Sequence, residues 1–403
     1  MTLTLSPRMS RIQASPTIVA MARANAAKAA GRPVISLTTG EPDFDTPAHI
    51  QEAAIAAMRA GQTRYTAVDG TVELKRAVID KFRRENGIEY RLDEVIVSTG
   101  AKQVIFNAIL ALIDDGDEVI VPTPAWVSYP DIVKLAGGTP VEVPTTAETG
   151  FKPTAEALAA AITPRTRAIM LNSPCNPTGA VLSAEDYRAI AELVRGRPDI
   201  LVICDDIYEH ITFGTTEFAT LAGVCPDLKE QVLTVNGVSK SYAMTGWRLG
   251  YGGGPAPLIA AMKVLQSQST TNASSISQAA AVAALNGGLQ CVEEQRQAFA
   301  RRRDMLLSRL AAMPGLQVLP PEGAFYLFIG VAEWLGATLP DGTVVATEAD
   351  FVDQLLEREN LAVVGGEGFG CSPYIRLSFA ASDADLSAAM DRLERFVGSL
   401  TRA

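Results

Sequence analysis

Five short apolar runs, each stopping at a polar, glycine-bearing or proline-bearing segment, constrain this chain more than any other feature. Val95-Ile96-Val97-Ser98 stops at Thr99-Gly100-Ala101-Lys102. Glu118-Val119-Ile120-Val121-Pro122 runs into Thr123-Pro124, Arg167-Ala168-Ile169-Met170-Leu171 into Asn172-Ser173-Pro174, and Ile200-Leu201-Val202-Ile203-Cys204 into Asp205-Asp206. The fifth, Gln231-Val232-Leu233-Thr234-Val235, precedes the polar stretch Asn236 to Arg248. Runs this short and apolar on both faces read as strands buried between two layers. Helical periodicity between them, as from Gln103 to Leu112, supplies the crossovers, so the expected fold class is α/β with a mostly parallel sheet between helices. In such sheets ligands bind outside the carboxyl ends of the strands, where the unusual residues of this chain lie.

The two ends of the sequence read differently. Long amphipathic helices such as Gln295 to Leu310, and isolated strands at Ala324–Phe328 and Tyr374–Phe379, predict a smaller α+β domain built from both chain ends. At 403 residues two domains are expected, divided as 1–45, 46–290 and 291–403, with the first and last pieces joined. The run Gly365-Gly366-Glu367-Gly368-Phe369-Gly370 lacks a following helix and reads as a flexible turn.

Charge and composition narrow the function. A formal charge of -10 argues against nucleic acid and anionic membranes as partners, so positive charge for an anionic ligand has to be placed locally. No apolar run approaches the roughly 20 residues that cross a bilayer, and the N-terminus lacks a basic-then-apolar leader, so a cytoplasmic location is expected. Five scattered cysteines show no Cys-x-x-Cys spacing, and His49 and His210 are the only histidines. Neither a disulfide framework nor a metal site is expected; both histidines read as structural, and chemistry falls to lysine, carboxylate, tyrosine or a cofactor.

Lys240 and Arg248 follow the fifth strand, eight residues apart. A lysine held out of bulk water near other cations loses basicity and can form a Schiff base, whereas arginine keeps its charge and its planar fork suits phosphate. An amine for an aldehyde beside a fork for a phosphate describes pyridoxal 5′-phosphate; a surface pair on a polar loop is the ordinary alternative. Asp205, at the mouth of the crevice, can hold a protonated pyridine nitrogen, and Tyr208 a ring oxygen; an N-cap aspartate followed by a buried tyrosine reads equally well. Asn176, before Pro177, is held so that its amide can face a ligand, and Trp126 reads as a ring-stacking face or as core. Arg376 reads as a carboxylate fork or a solvated edge arginine, and the amides at Gly100 and Ala101 open a helix that can receive phosphate.

Taken in order, these segments, with Gly40-Glu41-Pro42-Asp43-Phe44-Asp45-Thr46-Pro47, Arg64-Tyr65-Thr66, Gly323-Ala324-Phe325-Tyr326 and Arg376-Leu377-Ser378, make a chain that resembles the fold-type-I, pyridoxal-phosphate-dependent class I aminotransferases, in particular the short-tailed bacterial aspartate aminotransferases. The resemblance covers nearly the whole chain. It implies a seven-stranded, mostly parallel sheet and aspartate:2-oxoglutarate transamination by a ping-pong cycle through a Lys240 Schiff base. Asp205, Tyr208, Asn176 and Trp126 would hold the cofactor ring, and Arg248, Ser239, Gly100, Ala101 and a partner subunit's copy of Tyr65 its phosphate. Arg376 and the Gly40 backbone would hold the substrate α-carboxylate, and Lys102, Ser15 and Thr17 the distal one. A homodimer with shared sites is implied. Aromatic, alanine-type or broad-specificity transamination and a β-lyase on the same scaffold are the alternatives. Ala125, where relatives often have tyrosine, leaves room for a bulkier substrate. Gln13, where prephenate-accepting relatives have a cation, removes a positive charge, and Gly237 removes a hydroxyl.

Overall fold

The apolar runs do become strands of one sheet in the computed structural model, which describes residues 3–402. Numbered in chain order, β1 (Ile35–Ser36) lies apart from the main sheet. That sheet contains β2 (Val95–Ser98), β3 (Glu118–Thr123), β4 (Thr139–Pro144), β5 (Thr166–Asn172), β6 (Leu201–Asp205), β7 (Val232–Gly237) and β8 (Gly250–Gly253), in the order β2-β8-β7-β6-β5-β3-β4. Pairing is parallel from β4 through β3, β5 and β6 to β7, while β8 runs antiparallel to both β7 and β2. The expectation of a mostly parallel seven-stranded sheet holds. Every residue of β2, β6 and β7 is buried, as strands covered on both faces require. Crossover helices begin at side-chain caps, Thr154 on the Ala157 amide and Ser183 on the Asp186 amide, each worth about 1 kcal/mol.

A second, antiparallel sheet contains β9 (Gln317–Val318), β10 (Tyr326–Gly330), β12 (Val364–Gly365) and β13 (Tyr374–Ser378), in the order β12-β13-β10-β9. The long helix Gln290–Leu310 and the helices Glu348–Glu359 and Asp383–Ser399 accompany it, around a separate core that includes Phe299, Phe325, Phe351 and Phe379. The N-terminal segment joins this part: β1 pairs in parallel with β11 (Leu361–Ala362), Ile35 opposite Leu361. Among the described residues no helix is long and apolar enough to cross a membrane.

The Gly365–Gly370 run departs from the flexible turn expected of it. It forms a short 3-10 turn whose Phe369 is buried and whose Phe369 carbonyl accepts the Ala125 amide at 2.9 Å, so the two sheets are tied here. The aromatic side chain fixes what the glycines alone would leave loose.

Candidate active site

The carboxyl ends of β5, β6 and β7 open on one edge of the main sheet, and the second sheet leans over it. Between them lies a cavity of about 320 Å³ lined by Lys240, Asp205, Tyr208, Trp126, Asn176, Ser239, Arg248, Ala101, Lys102, Gly40, Thr17 and Arg376, together with Tyr129, Asn172 and Tyr326. Twelve residues expected at the site therefore meet in one space. Ser15 stands on the adjoining groove with Gln13, sharing Lys102 and Arg248 with the cavity, and bonds Thr17 at 2.8 Å between hydroxyls. Gly100 borders the Arg248 guanidinium. Tyr65 does not line the cavity of its own chain: it is 90% exposed.

Lys240 follows β7 in a turn where Ala243 takes a left-handed φ of 49°. Its ammonium donates to the Gly40 carbonyl at 2.6 Å. Burial of the amine is the main reason its pKa falls to about 8; Arg248 and Arg376 push the same way, against Glu41 and Asp205. The Gly40 segment is itself fixed, since Thr46 bonds the Ala243 carbonyl at 2.7 Å and Asp43 receives both terminal nitrogens of Arg302.

Asp205 ends β6 and is 5% exposed. Its Oδ2 accepts the Tyr129 hydroxyl at 2.7 Å and its Oδ1 the Ile207 amide at 3.3 Å. Burial raises the carboxyl to about 6, against those two donors and Lys240. Asp206, one residue on, is fully buried on the other side of the strand, where burial holds its carboxyl well above the usual carboxylate range. The strand register thus separates two adjacent acids, as expected from alternation.

Asn172 Nδ2 donates to the Asp205 carbonyl at 2.8 Å and its Oδ1 accepts the Asn176 amide, so the loop after β5 is stitched to β6. Asn176 Oδ1 in turn accepts Arg376 Nη1 at 2.8 Å, and Nη2 of that arginine donates to the Thr38 carbonyl. Arg376 is 2% exposed, lies between the rings of Tyr326 and Phe369, and leaves Nε without a partner. It is no solvated edge residue. Tyr208 and Tyr326 share a hydroxyl–hydroxyl bond of 2.7 Å. Lys102 stands 4.7 Å over the Trp126 ring, and partial burial followed by Arg248 lowers its pKa.

Glycines make the cradle beside Arg248. A Cβ on Gly250 would collide with the Ala101 amide, and one on Gly100, whose φ is 86°, with the Arg248 guanidinium. Gly237 is less confined: a Cβ there would stand 3.1 Å from Gly250, Leu249 and Ile207, close enough that those neighbours would have to shift by a few tenths of an ångström.

One expectation fails. Ala125 faces a small internal cavity behind Tyr129 with Cys175 and Leu182, so the space it leaves is not substrate space. His210, read as structural, stands outside the cavity lining in a partnered group: Nδ1 meets Ser241 Oγ and Nε2 meets Glu85 Oε2, each at 2.9 Å. Sequence reasoning missed Tyr129, which the turn leading into the helix Ser128–Ala136 sets beside Trp126, its amide donating to the Trp126 carbonyl at 3.0 Å.

Residues 32–393 match the family model described as aminotransferase class I and II. An aspartate aminotransferase of Rhizobium meliloti (strain 1021) is 53% identical over 96% of this chain and 94% of its own. A probable aspartate/prephenate aminotransferase of Rickettsia felis is 49% identical over 98% and 97% of the two chains. Among solved structures, the aspartate aminotransferase from Rhizobium meliloti superposes with a TM-score of 0.97 at 51% identity, covering 99% of this chain and 100% of that one. The Thermus thermophilus aspartate aminotransferase with maleate reaches 0.92 at 42% identity, over 98% and 100%.

Proposed function

Because the chain belongs to the class I and II aminotransferases, we propose that it is a pyridoxal-phosphate-dependent aspartate aminotransferase that passes the amino group to 2-oxoglutarate. One observation carries the reading: the cavity gathers Lys102, which stands over the Trp126 ring, with Lys240, Arg248 and Arg376, whose hydrogen bonds go to carbonyls and an amide rather than to carboxylates, in a chain of net charge -10. Cations placed this way are partners for anions that come from outside. Phosphate and two substrate carboxylates fit that number and spread of charge.

The residues also fit the cofactor. The glycine cradle at Gly100 and Gly250 brings the Ala101 amide and Arg248 together for a phosphate, with Ser239 beside them and Tyr65 supplied by a second subunit of a homodimer. Asp205 would pair with the ring nitrogen, Tyr208 and Asn176 with the ring oxygen, and Trp126 would cover the ring face. When bound, pyridoxal phosphate supplies an aldehyde for the exchange of amines and a conjugated ring that takes up the electron pair freed at the substrate α-carbon. Lys240, with a pKa of about 8, keeps a deprotonated fraction near neutral pH far larger than an ordinary lysine's, so its Nζ is suited to carry the α-proton. Arg376, with the Gly40 backbone, would hold the α-carboxylate, and Lys102 with Ser15 and Thr17 the distal one. The maleate in the Thermus thermophilus structure is a dicarboxylate of the same class. A division at about residues 45 and 290 and a cytoplasmic location belong to the same reading.

The test is direct: purified protein loaded with pyridoxal phosphate is mixed with aspartate and 2-oxoglutarate, and glutamate and oxaloacetate are measured. Equal formation of both supports the reading. Pyruvate and ammonia formed without an oxo-acid acceptor would replace it with a lyase.

A further inference from the structure

We infer that Tyr129 is a positioning residue whose hydroxyl fixes the rotation of the Asp205 carboxylate toward the cavity while its ring steadies Trp126. The inference rests on the reading of Asp205 as partner of the pyridine nitrogen. Tyr129 lies in the first turn of the helix Ser128–Ala136, is 3% exposed, and touches both residues: Asp205 Oδ2 at 2.7 Å and the Trp126 ring edge-on at a centroid distance of 5.3 Å. One side chain therefore sets the edge partner and the face partner of the same ring site.

The direction of the bond follows from the groups. Burial holds the Tyr129 phenol far above its ordinary range, so it remains an O–H donor, and an ionised carboxylate only accepts. Each Asp205 oxygen thus has one donor on the protein side, Tyr129 on Oδ2 and the Ile207 amide on Oδ1, and the remaining lone pairs are left for a ligand. Ionisation is the second consequence. The titratable groups facing Asp205 are Tyr129 from its helix, Cys175 from the loop after β5, Cys204, Asp206 and Tyr208 from its own segment, and Lys240 after β7. Of these side chains Tyr129 is the one that donates a hydrogen bond to the carboxylate. Without it, burial would favour the neutral acid, and a neutral acid cannot hold a cationic ring nitrogen.

The test uses Tyr129→Phe, which removes one oxygen and keeps the ring, and a protein carrying 3-fluorotyrosine at position 129, a stronger donor with the ring retained. The Asp205 carboxyl is titrated in the cofactor-free protein by infrared difference spectroscopy, with Asp205→Asn as the blank. The midpoint near 6 rises by roughly one pH unit in Tyr129→Phe and falls in the fluorotyrosine protein. Loaded with pyridoxal phosphate, Tyr129→Phe loses about tenfold in kcat with KM for aspartate within about twofold. Loaded with an analogue in which CH replaces the ring nitrogen, it turns over as the parent does, because the contact acts through that nitrogen. Unmoved midpoints in both proteins overturn the inference without touching the cofactor reading. An equal loss of rate with the analogue overturns the route through Asp205. Failure of the parent to bind pyridoxal phosphate would instead sink the reading beneath it.

Discussion

Two groups of buried charge flank the strand-end segments that carry Asp205, Tyr208 and Lys240, and they are treated in opposite ways. On one side Lys81, Glu85, Glu209 and His210 neutralise each other: the fully buried Lys81 ammonium pairs with Glu209 and stands 3.7 Å from Glu85, which His210 also contacts. Burial opposes ionisation of both acids, yet His210 and Lys81 hold Glu85 down at about 2, and Lys81 holds Glu209 below its usual range. Glu85, Glu209 and His210 stand close enough together to ligate a metal, but the Lys81 ammonium already serves as their cation. On the other side, Lys102, Lys240, Arg248 and Arg376 face a cavity with no such balance. The first group holds the fold; in the function proposed above, the second is left open for the cofactor and the substrate.

Substitutions that exchange the expected behaviour of the two groups would break this contrast. Lys240→Ala should abolish turnover, by at least about 10³-fold, with the unfolding midpoint of the cofactor-free protein unchanged or higher, measured by single-turnover absorbance and by denaturant titration. Lys81→Met should do the reverse. It leaves Glu209 without its counterion, for a loss of about 3–5 kcal/mol in unfolding free energy, while the folded fraction keeps its kcat within a few-fold.

Asp205→Asn sharpens the contrast through pH. A carboxyl whose folded pKa of about 6 lies above the ordinary 3.8 lends stability at low pH that is lost as pH rises through 6. In cofactor-free protein the asparagine variant should match the parent below about pH 4 and exceed it by about 3 kcal/mol above pH 7, while losing transamination. Smallest in effect, Lys102→Gln should lower kcat/KM for aspartate about 10- to 100-fold and leave phenylalanine within about twofold.

The strand ends were legible because burial on both faces leaves an unmistakable apolar run, and a charged residue at its end has to do something. Asp205 stands at such an end and Lys240 just past one, whereas Arg248 is legible through its spacing from Lys240. β8 was not, since Gly250-Tyr251-Gly252-Gly253 carries almost no strand propensity; its glycines answer to the close approach of Ala101, Val104 and Tyr90. Partnerships across long sequence separations were also hidden: Tyr129 meets Asp205 over 76 residues and His210 meets Glu85 over 125. Ala125 was placed on the wrong side because the resemblance gives its neighbour Trp126 but not the direction in which an adjacent side chain points. The Gly365–Gly370 run misled for the opposite reason, its glycines being more conspicuous than the buried Phe369 that holds it.

The most direct test is the set of half-reaction rates of the pyridoxal-phosphate-loaded protein with aspartate, glutamate, alanine and phenylalanine, each followed alone by cofactor absorbance. If the open cations are there for a second carboxylate, aspartate and glutamate react at least about 100-fold faster than alanine, and Lys102→Gln removes most of that margin. Alanine or phenylalanine reacting as fast as aspartate would contradict the account, leaving the cavity's extra charge without the dicarboxylate it is said to await.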